Sequence, residues 1–337
     1  MKKEEVKTPL IILTGPTAVG KTALSVKLAQ KTGGEIISAD SMQVYRHMDI
    51  GSAKIRPDEM RGVPHHLIDV LEPQEEFNVT VFQNMAKKAI GEIRSRGHIP
   101  ILAGGTGFYI QAVLYDIDFT ENAEETSVRE ALERTAEEKG AEYLHQMLKE
   151  VDPESAALIH ANNIKRTVRA LEYYMQTGQK ISEHNEKERS RRSAYNACYF
   201  VLNDEREKIY ERIDRRVDRM LSDGLVKEVQ ALKEMGCTRD LVSMQGLGYK
   251  EILGYLDGEY DLDRAVYLIK RDTRHFAKRQ LTWFRRERDV IWLNRQDFPS
   301  EDAILSRMIA ECEEREMLRE RPAPQEEKAR DGKERNG

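Results

Sequence analysis

The residues Gly15-Pro16-Thr17-Ala18-Val19-Gly20-Lys21-Thr22 have the spacing G-x-x-x-x-G-K-[ST], the pattern of a loop that grips phosphate. Its glycines let backbone N–H groups converge on oxyanions, and the start of a helix adds a favourable dipole. Lys21 supplies a mobile positive charge and Thr22 a hydroxyl able to ligate Mg2+. Asp40 closes a second stretch, Glu35-Ile36-Ile37-Ser38-Ala39-Asp40-Ser41. At the carboxyl end of a parallel strand a carboxylate faces the ligand crevice, although Asp is also a favoured helix cap. A second glycine turn, Gly104-Gly105-Thr106-Gly107, leaves room for a substrate beside the backbone and offers the Thr106 hydroxyl.

These groups need elements to hold them. Pro9 to Thr14 is an apolar run that reads as a buried strand, and Ala23 to Ala29 has helical periodicity, so the loop stands between strand and helix. Ile99 to Ala103 is another buried strand. It ends in small residues where an ATPase of the motor or GTPase type carries an acid for Mg2+. Val79 to Arg96 predicts a helix stopped by Gly97, and Leu67 to Val70 a strand entered through His65 and His66, two structural histidines. The polar, irregular segment Tyr45 to Lys54 suits a loop that covers a substrate.

From Thr120 to Asn196 glycine becomes rare and charge dense. Thr126 to Lys139, Ala141 to Glu150 and Asn163 to Thr177 predict three helices, the last closed by Gly178. Lys165, Arg166 and Arg169 lie within one turn, and Lys187, Arg189, Arg191 and Arg192 follow in a polar linker; a solvated face explains such charges as readily as an RNA contact. Tyr195 to Leu202 returns to strand-like alternation, and Glu205 to Leu221 carries an apolar stripe of Ile209, Ile213, Val217 and Leu221. Arg212, Arg216 and Arg219 lie on a neighbouring stripe, where one or two can reach a phosphate or pair with nearby acids. A last helix, Asp261 to Glu287, places Arg274, Lys278, Arg279, Arg285 and Arg286 among Phe276, Trp283 and Phe284, with Glu287 the one acid after Arg274. That asymmetry suits a polyanion.

The expected architecture is α/β: a P-loop NTPase-like parallel sheet flanked by helices over residues 8–119 and 196–312, a helical insertion over 120–195, and a disordered charged tail over 313–337. The 337 residues suffice for a sizeable core; 39% are hydrophobic and 34% charged, for a net charge of −5. The charge gives no global pull toward nucleic acid, so local clusters must supply it. No run is long enough to span a membrane and the polar start Met1 to Glu5 lacks a signal-peptide core, so a cytoplasmic location is expected. Cys198, Cys237 and Cys312 lack metal-ligand spacing and read as buried or incidental thiols. The loop, Asp40 and the second glycine turn admit two classes. One is a kinase of a small metabolite or nucleoside; the other is a transferase that grips the diphosphate of a non-nucleotide donor. A third, an RNA-binding module with a relic loop, would have no use for a carboxylate at Asp40.

Over residues 9–300 the chain resembles the tRNA dimethylallyltransferases, also called tRNA isopentenyltransferases. The likeness rests on Gly15 to Thr22, Ser38-Ala39-Asp40-Ser41-Met42-Gln43-Val44-Tyr45, Met48-Asp49-Ile50-Gly51-Ser52-Ala53-Lys54, Ala103-Gly104-Gly105-Thr106-Gly107-Phe108-Tyr109, Arg169-Ala170-Leu171-Glu172, and Lys278-Arg279-Gln280-Leu281-Thr282-Trp283-Phe284-Arg285, in that order. It implies transfer of a dimethylallyl group from dimethylallyl diphosphate to N6 of the adenosine 3′ to the anticodon, in tRNAs reading codons that begin with U. It further implies Asp40 as general base, and Lys21, Thr22 and Arg216 on the diphosphate and its Mg2+. Asp40, Ser41, Met42, Gln43, Thr106, Arg129 and the stretch Asn163, Ile164, Lys165, Arg166 and Thr167 would meet the tRNA anticodon stem-loop. Lys278, Arg279 and Arg285 join that surface on charge, and the enzyme is expected to act as a monomer. Two positions depart from the family pattern: Asn163-Ile164-Lys165 stands where a proline and two arginines are common, and Phe108 where leucine is usual.

Overall fold

A computed structural model describes residues 7–119 and 126–318. The polar start Met1 to Glu5, the first residues of the expected insertion and the tail beyond 318 lie outside the described residues. Six strands form one parallel sheet in the order β3-β2-β4-β1-β5-β6: β1 (Pro9–Thr14), β2 (Gly34–Ala39), β3 (His65–His66), β4 (Ile99–Gly104), β5 (Asn196–Asn203) and β6 (Val290–Asn294). A central parallel strand is buried on both faces, which is why β1 reads as an unbroken apolar run. Its residues still alternate. Leu10 and Ile12 pack on one side of the sheet and Ile11 and Leu13 on the other.

Helices α1 (Lys21–Thr32), α2 (Pro57–Met60), α3 (Val79–Ser95) and α4 (Gly107–Leu114) belong to the first half of the core. The second half supplies α10 (Arg206–Asp223), α11 (Leu225–Glu234), α12 (Tyr249–Leu256), α13 (Leu262–Phe284) and α14 (Glu301–Glu314). Between them lie α5 (Thr126–Lys139), α6 (Ala141–Val151), α7 (Pro153–Leu158), α8 (Ile164–Thr177) and α9 (Ile181–Ser190). Leu132, Leu144, Leu148, Val168 and Leu171 of this insertion form a hydrophobic cluster of their own.

Four expectations need correction. The strand entered at His65 stops after two residues: Leu67 and Asp69 take left-handed backbone (φ 63 and 54), and the chain turns to bond Gln43 and Val44 instead. The basic linker is helical through Ser190, where α9 adds a turn the charge pattern hid. The tail does not begin at residue 313, since α14 runs to Glu314 and Cys312 and Met317 are buried. The segment from Tyr45 to Lys54 is anchored rather than free to cover a substrate: Tyr45 and Met48 are fully buried, and the Lys54 ammonium bonds Tyr45 O (2.7 Å), Asp49 (2.5 Å) and Asp69 (2.5 Å).

β2, which carries Asp40 at its end, is tied at its start by a buried carboxylate. Glu35 accepts from Arg96 Nε (3.1 Å) and Nη2 (2.7 Å), and His66 Nε2 lies 2.7 Å away. The Arg96 hydrogen bonds hold the Glu35 carboxyl below its ordinary range against the opposing effect of burial. Its stabilisation is therefore complete above the unfolded carboxylate pKa of about 4.3 and is lost as pH falls through the lower folded value. Glu35→Gln should destabilise the protein by about 1.5–3 kcal/mol at neutral pH, the usual worth of hydrogen bonds to a charged group. The deficit should shrink in denaturant titrations repeated at acid pH.

Candidate active site

The carboxyl ends of β1, β2 and β4 open into a cavity of about 510 Å3. The P-loop reaches it because β1 delivers the chain to the top of the sheet and α1 starts there with Gly20 in left-handed backbone (φ 97). Thr17, Lys21 and Thr22 line the cavity, joined by Asp40, Ser41, Met42 and Gln43 beyond β2, Thr106 beyond β4, Arg216 from α10 and Arg279 from α13. Residues from five separate stretches thus share one recess. Pro16 and Val19 are buried, and Pro16 has no amide, so only the remaining loop amides can face a ligand.

Charge is unevenly matched in the recess. Lys21 Nζ donates to the carbonyls of Gly15 (3.0 Å) and Pro16 (2.8 Å) in the hollow of its own loop. Desolvation and the field of Arg216 push its ammonium down to about 7, with Asp40 opposing them. Desolvation also lowers Arg216, again against Asp40. Arg216 Nη1 lies 3.4 Å from Thr17 Oγ1. Two cations therefore share one carboxylate. Asp40 Oδ1 also accepts the Met42 N–H (2.9 Å) and closes a turn, but no helix begins there, so the helix-cap reading does not hold.

One residue of the site was assigned no role from the sequence. Gln280 is buried in α13; its Oε1 accepts the Thr17 N–H (2.8 Å) and its Nε2 donates to Gly105 O (2.9 Å). The amide ties the P-loop to the second glycine turn. It also corrects the reading of that turn: a Cβ on Gly105 would strike Gln280, one on Gly107 would strike the Trp283 ring, and one on Gly104 the Ala39 backbone. On their Cβ side the glycines admit α13 and β2, while Gly104, Gly105 and Thr106 still line the cavity. A motif lying between a Lys-Arg pair and Leu-Thr-Trp was the one clue, since a polar residue on the apolar stripe of a long helix needs a partner.

Apolar side chains line the cavity as well, among them Ile213, Val217, Leu247, Ile269 and Phe276. Of the expected RNA contacts, Lys278, Arg279 and Arg285 are exposed, with Arg279 over the Phe276 ring at 5.7 Å. Arg274 is not free for RNA, being bidentate to Asp214 (2.6 and 2.7 Å). In the insertion, Asn163, Ile164, Lys165 and Arg166 are exposed at the start of α8. Arg129 pairs with Glu172 (2.7 Å). Thr167 is fully buried with its hydroxyl on Asn163 O (3.2 Å), so it presents no surface to a partner. Arg212 pairs with Asp204 (2.5 Å) rather than with an acid of its own helix.

A family model described as IPP transferase matches residues 43–287. The chain belongs to this family of tRNA dimethylallyltransferases. It is 62% identical over 311 residues to the tRNA dimethylallyltransferase of Lachnoclostridium phytofermentans, covering 92% of this chain and 99% of the relative. The enzyme of the same name from Acetivibrio thermocellus is 50% identical, with coverages of 89% and 96%. The tRNA isopentenylpyrophosphate transferase of Bacillus halodurans superposes with a TM-score of 0.70 at 44% identity, over 93% of this chain and 99% of that one. A eukaryotic dimethylallyltransferase solved acting on tRNA gives 0.78 at 29%, over 95% and 81%. Membership in this family removes the kinase alternative. Among the described residues no helix is long and apolar enough to cross a membrane.

The lowered Lys21 predicts a pH signature. An anion in the loop favours the charged ammonium, so binding raises its pKa and takes up a proton where the free protein has lost one. Affinity for inorganic diphosphate, measured by calorimetry in buffers of different ionisation heat, should weaken as pH rises above about 7 relative to a Lys21→Met variant. Proton uptake should vanish in that variant.

Proposed function

We propose that this protein transfers a dimethylallyl group from dimethylallyl diphosphate to N6 of the adenosine 3′ to the anticodon, in tRNAs reading codons that begin with U. The observation that carries the reading is one recess that brings together Lys21, Arg216 and the P-loop, apolar side chains, and Asp40, whose field acts on both cations. The family relationship supports the same reaction. In it the bond between the donor's allylic carbon and the diphosphate oxygen breaks, the bond from that carbon to N6 forms, and the N6 proton passes to Asp40. An exocyclic amine is a poor nucleophile because its lone pair is delocalised, so a base within reach must take the proton as the bond forms.

The leaving diphosphate gathers negative charge. Lys21, Arg216 and the amides of Ala18, Gly20, Lys21 and Thr22 would meet that charge, and such preorganised donors usually supply the largest part of catalysis. The Thr22 side chain opens to the cavity beside Lys21. A lone hydroxyl suits Mg2+, which takes few protein ligands beside phosphate oxygens. When bound, Mg2+ would neutralise the diphosphate, with Thr22 holding it. The five-carbon chain fits against Val217, Leu247 and Ile269. The adenine leaves the anticodon-loop stack at a cost of about a few kcal/mol, least for an unpaired base. We assign tRNA holding to Lys278, Arg279 and Arg285 and to the exposed start of α8, in a protein acting in the cytoplasm with its substrate.

The reaction is tested by mass spectrometry of unmodified tRNA incubated with the protein and either dimethylallyl diphosphate or ATP. One dimethylallyl group should replace one hydrogen with the first donor only; gain with ATP alone would contradict the reading. Asp40→Asn should lower the single-turnover rate by about 10²-fold or more while diphosphate and tRNA affinities change far less. Near-normal turnover in that variant would leave Asp40 with only its turn-closing bond. Removing one true phosphate contact among Lys278, Arg279 and Arg285 should reduce the slope of log tRNA affinity against log salt by about 0.7–0.9.

A further inference from the structure

Four consecutive backbone amides, from Asp49 to Ser52, converge on one pair of side chains. Glu228 of α11 accepts the N–H groups of Asp49 (3.0 Å) and Ile50 (2.7 Å) on Oε2. Its Oε1 accepts the Gly51 N–H (3.0 Å) and the hydroxyl of Tyr249 (2.8 Å), whose oxygen accepts the Ser52 N–H (3.1 Å). Successive N–H groups on a turn make a concave donor set that binds anions. Here the protein's own carboxylate fills it, so this turn takes no part in holding diphosphate. Gly51 permits the arrangement, because a Cβ there would lie 2.5 Å from the ring of the fully buried Tyr249.

Glu228 does not line the cavity, but what it holds does. Gly51 and Ser52 form part of the wall, and the carbonyls of Ser52 and Ala53 lie 3.5 and 3.4 Å from Gln43 Nε2. Gln43 Oε1 accepts the Ser38 hydroxyl (3.2 Å). The Gln43 amide thus takes its position from β2 on one side and from the clamped turn on the other. It lines the recess on the same short turn as Asp40, whose carboxylate caps Met42.

Resting on the function proposed above, we infer that Glu228 is a positioning residue for prenyl transfer: through the 49–52 turn it sets Gln43, and with it the acceptor base beside Asp40. The chain of contacts runs from α11 to the turn to Gln43 and never touches the P-loop. Loss of Glu228 therefore acts on the transfer step with bound tRNA and leaves diphosphate binding unchanged. A misplacement of order 1 Å in a reacting pair costs about 10²-fold in rate. Glu228→Ala should approach that loss. Glu228→Gln keeps one acceptor oxygen and turns an NH2 toward the remaining donors, so its loss should be smaller but clear. Tyr249→Phe removes one of the four donors to Glu228 and the acceptor for Ser52, and should fall between wild type and Glu228→Gln.

The test is single-turnover transfer on saturating tRNA for Glu228→Gln, Tyr249→Phe, Gln43→Ala and the Glu228→Gln/Gln43→Ala double variant. Inorganic diphosphate affinity and thermal unfolding are measured beside it. If Glu228 acts through Gln43, the double variant is no slower than the slower single one, and diphosphate affinity stays at the wild-type value in all four. Unchanged rates in Glu228→Gln and Tyr249→Phe would overturn the inference. So would effects that multiply in the double variant, or a parallel loss of diphosphate affinity, which marks general unfolding of the site. Absence of transfer by the wild-type protein would instead overturn the functional reading beneath it.

Discussion

Two cations, Lys21 and Arg216, set beside one carboxylate, Asp40, are the constraint around which this molecule is arranged. Among the described residues Lys21 meets two loop carbonyls in place of lost water, and Arg216 a hydroxyl at 3.4 Å. Charges so placed are costly unless an anion answers them. The surroundings hold the cost in place. Arg295, just after β6, donates to Val19 O (2.9 Å) and pairs with Glu301 (3.0 Å), which also meets Lys27 of α1 (2.8 Å). The loop is thereby braced from outside by α14 and from inside by Gln280.

The long helix α13 has two tasks that its sequence superimposes. Its periodicity puts Ala277, Gln280 and Phe284 inward and leaves Lys278, Arg279 and Arg285 exposed. The inward face locks the P-loop to the β4 turn, with Trp283 packed where Gly107 leaves space. The outward face keeps basic charge at the rim of the same cavity, where Arg279 lies over Phe276. Spacing of 3.6 residues per turn is what lets one segment brace the P-loop and carry cations on its outer face.

Features with a local pattern were legible from the chain alone. β1, the P-loop and α1 announce themselves by an apolar run, two glycines and a periodic helix, and α8 by its Gly178 stop. Asp40 was legible through its place at the end of β2. Features decided by partners far along the chain were not. Gln280 meets Thr17 across 263 positions and Glu228 meets Asp49 across 179, and neither has a neighbour in sequence that betrays the contact. The glycines of the β4 turn were read only as room for substrate because the groups that pack on their Cβ side come from α13 and β2. β3 and α9 failed for a local reason: a two-residue strand has no period to detect, and a helix of charged residues resembles a linker.

The central claim is that the charge imbalance of the recess belongs to the diphosphate of a prenyl donor. A crystal structure with an unmodified tRNA anticodon stem-loop and an unreactive thio-analogue of dimethylallyl diphosphate tests it most directly. The diphosphate should lie in the P-loop against Lys21 and Arg216, its five-carbon chain toward Val217 and Ile269, and the flipped adenine between that chain and Asp40. A diphosphate bound elsewhere, or an adenine amine out of reach of Asp40, would contradict the account.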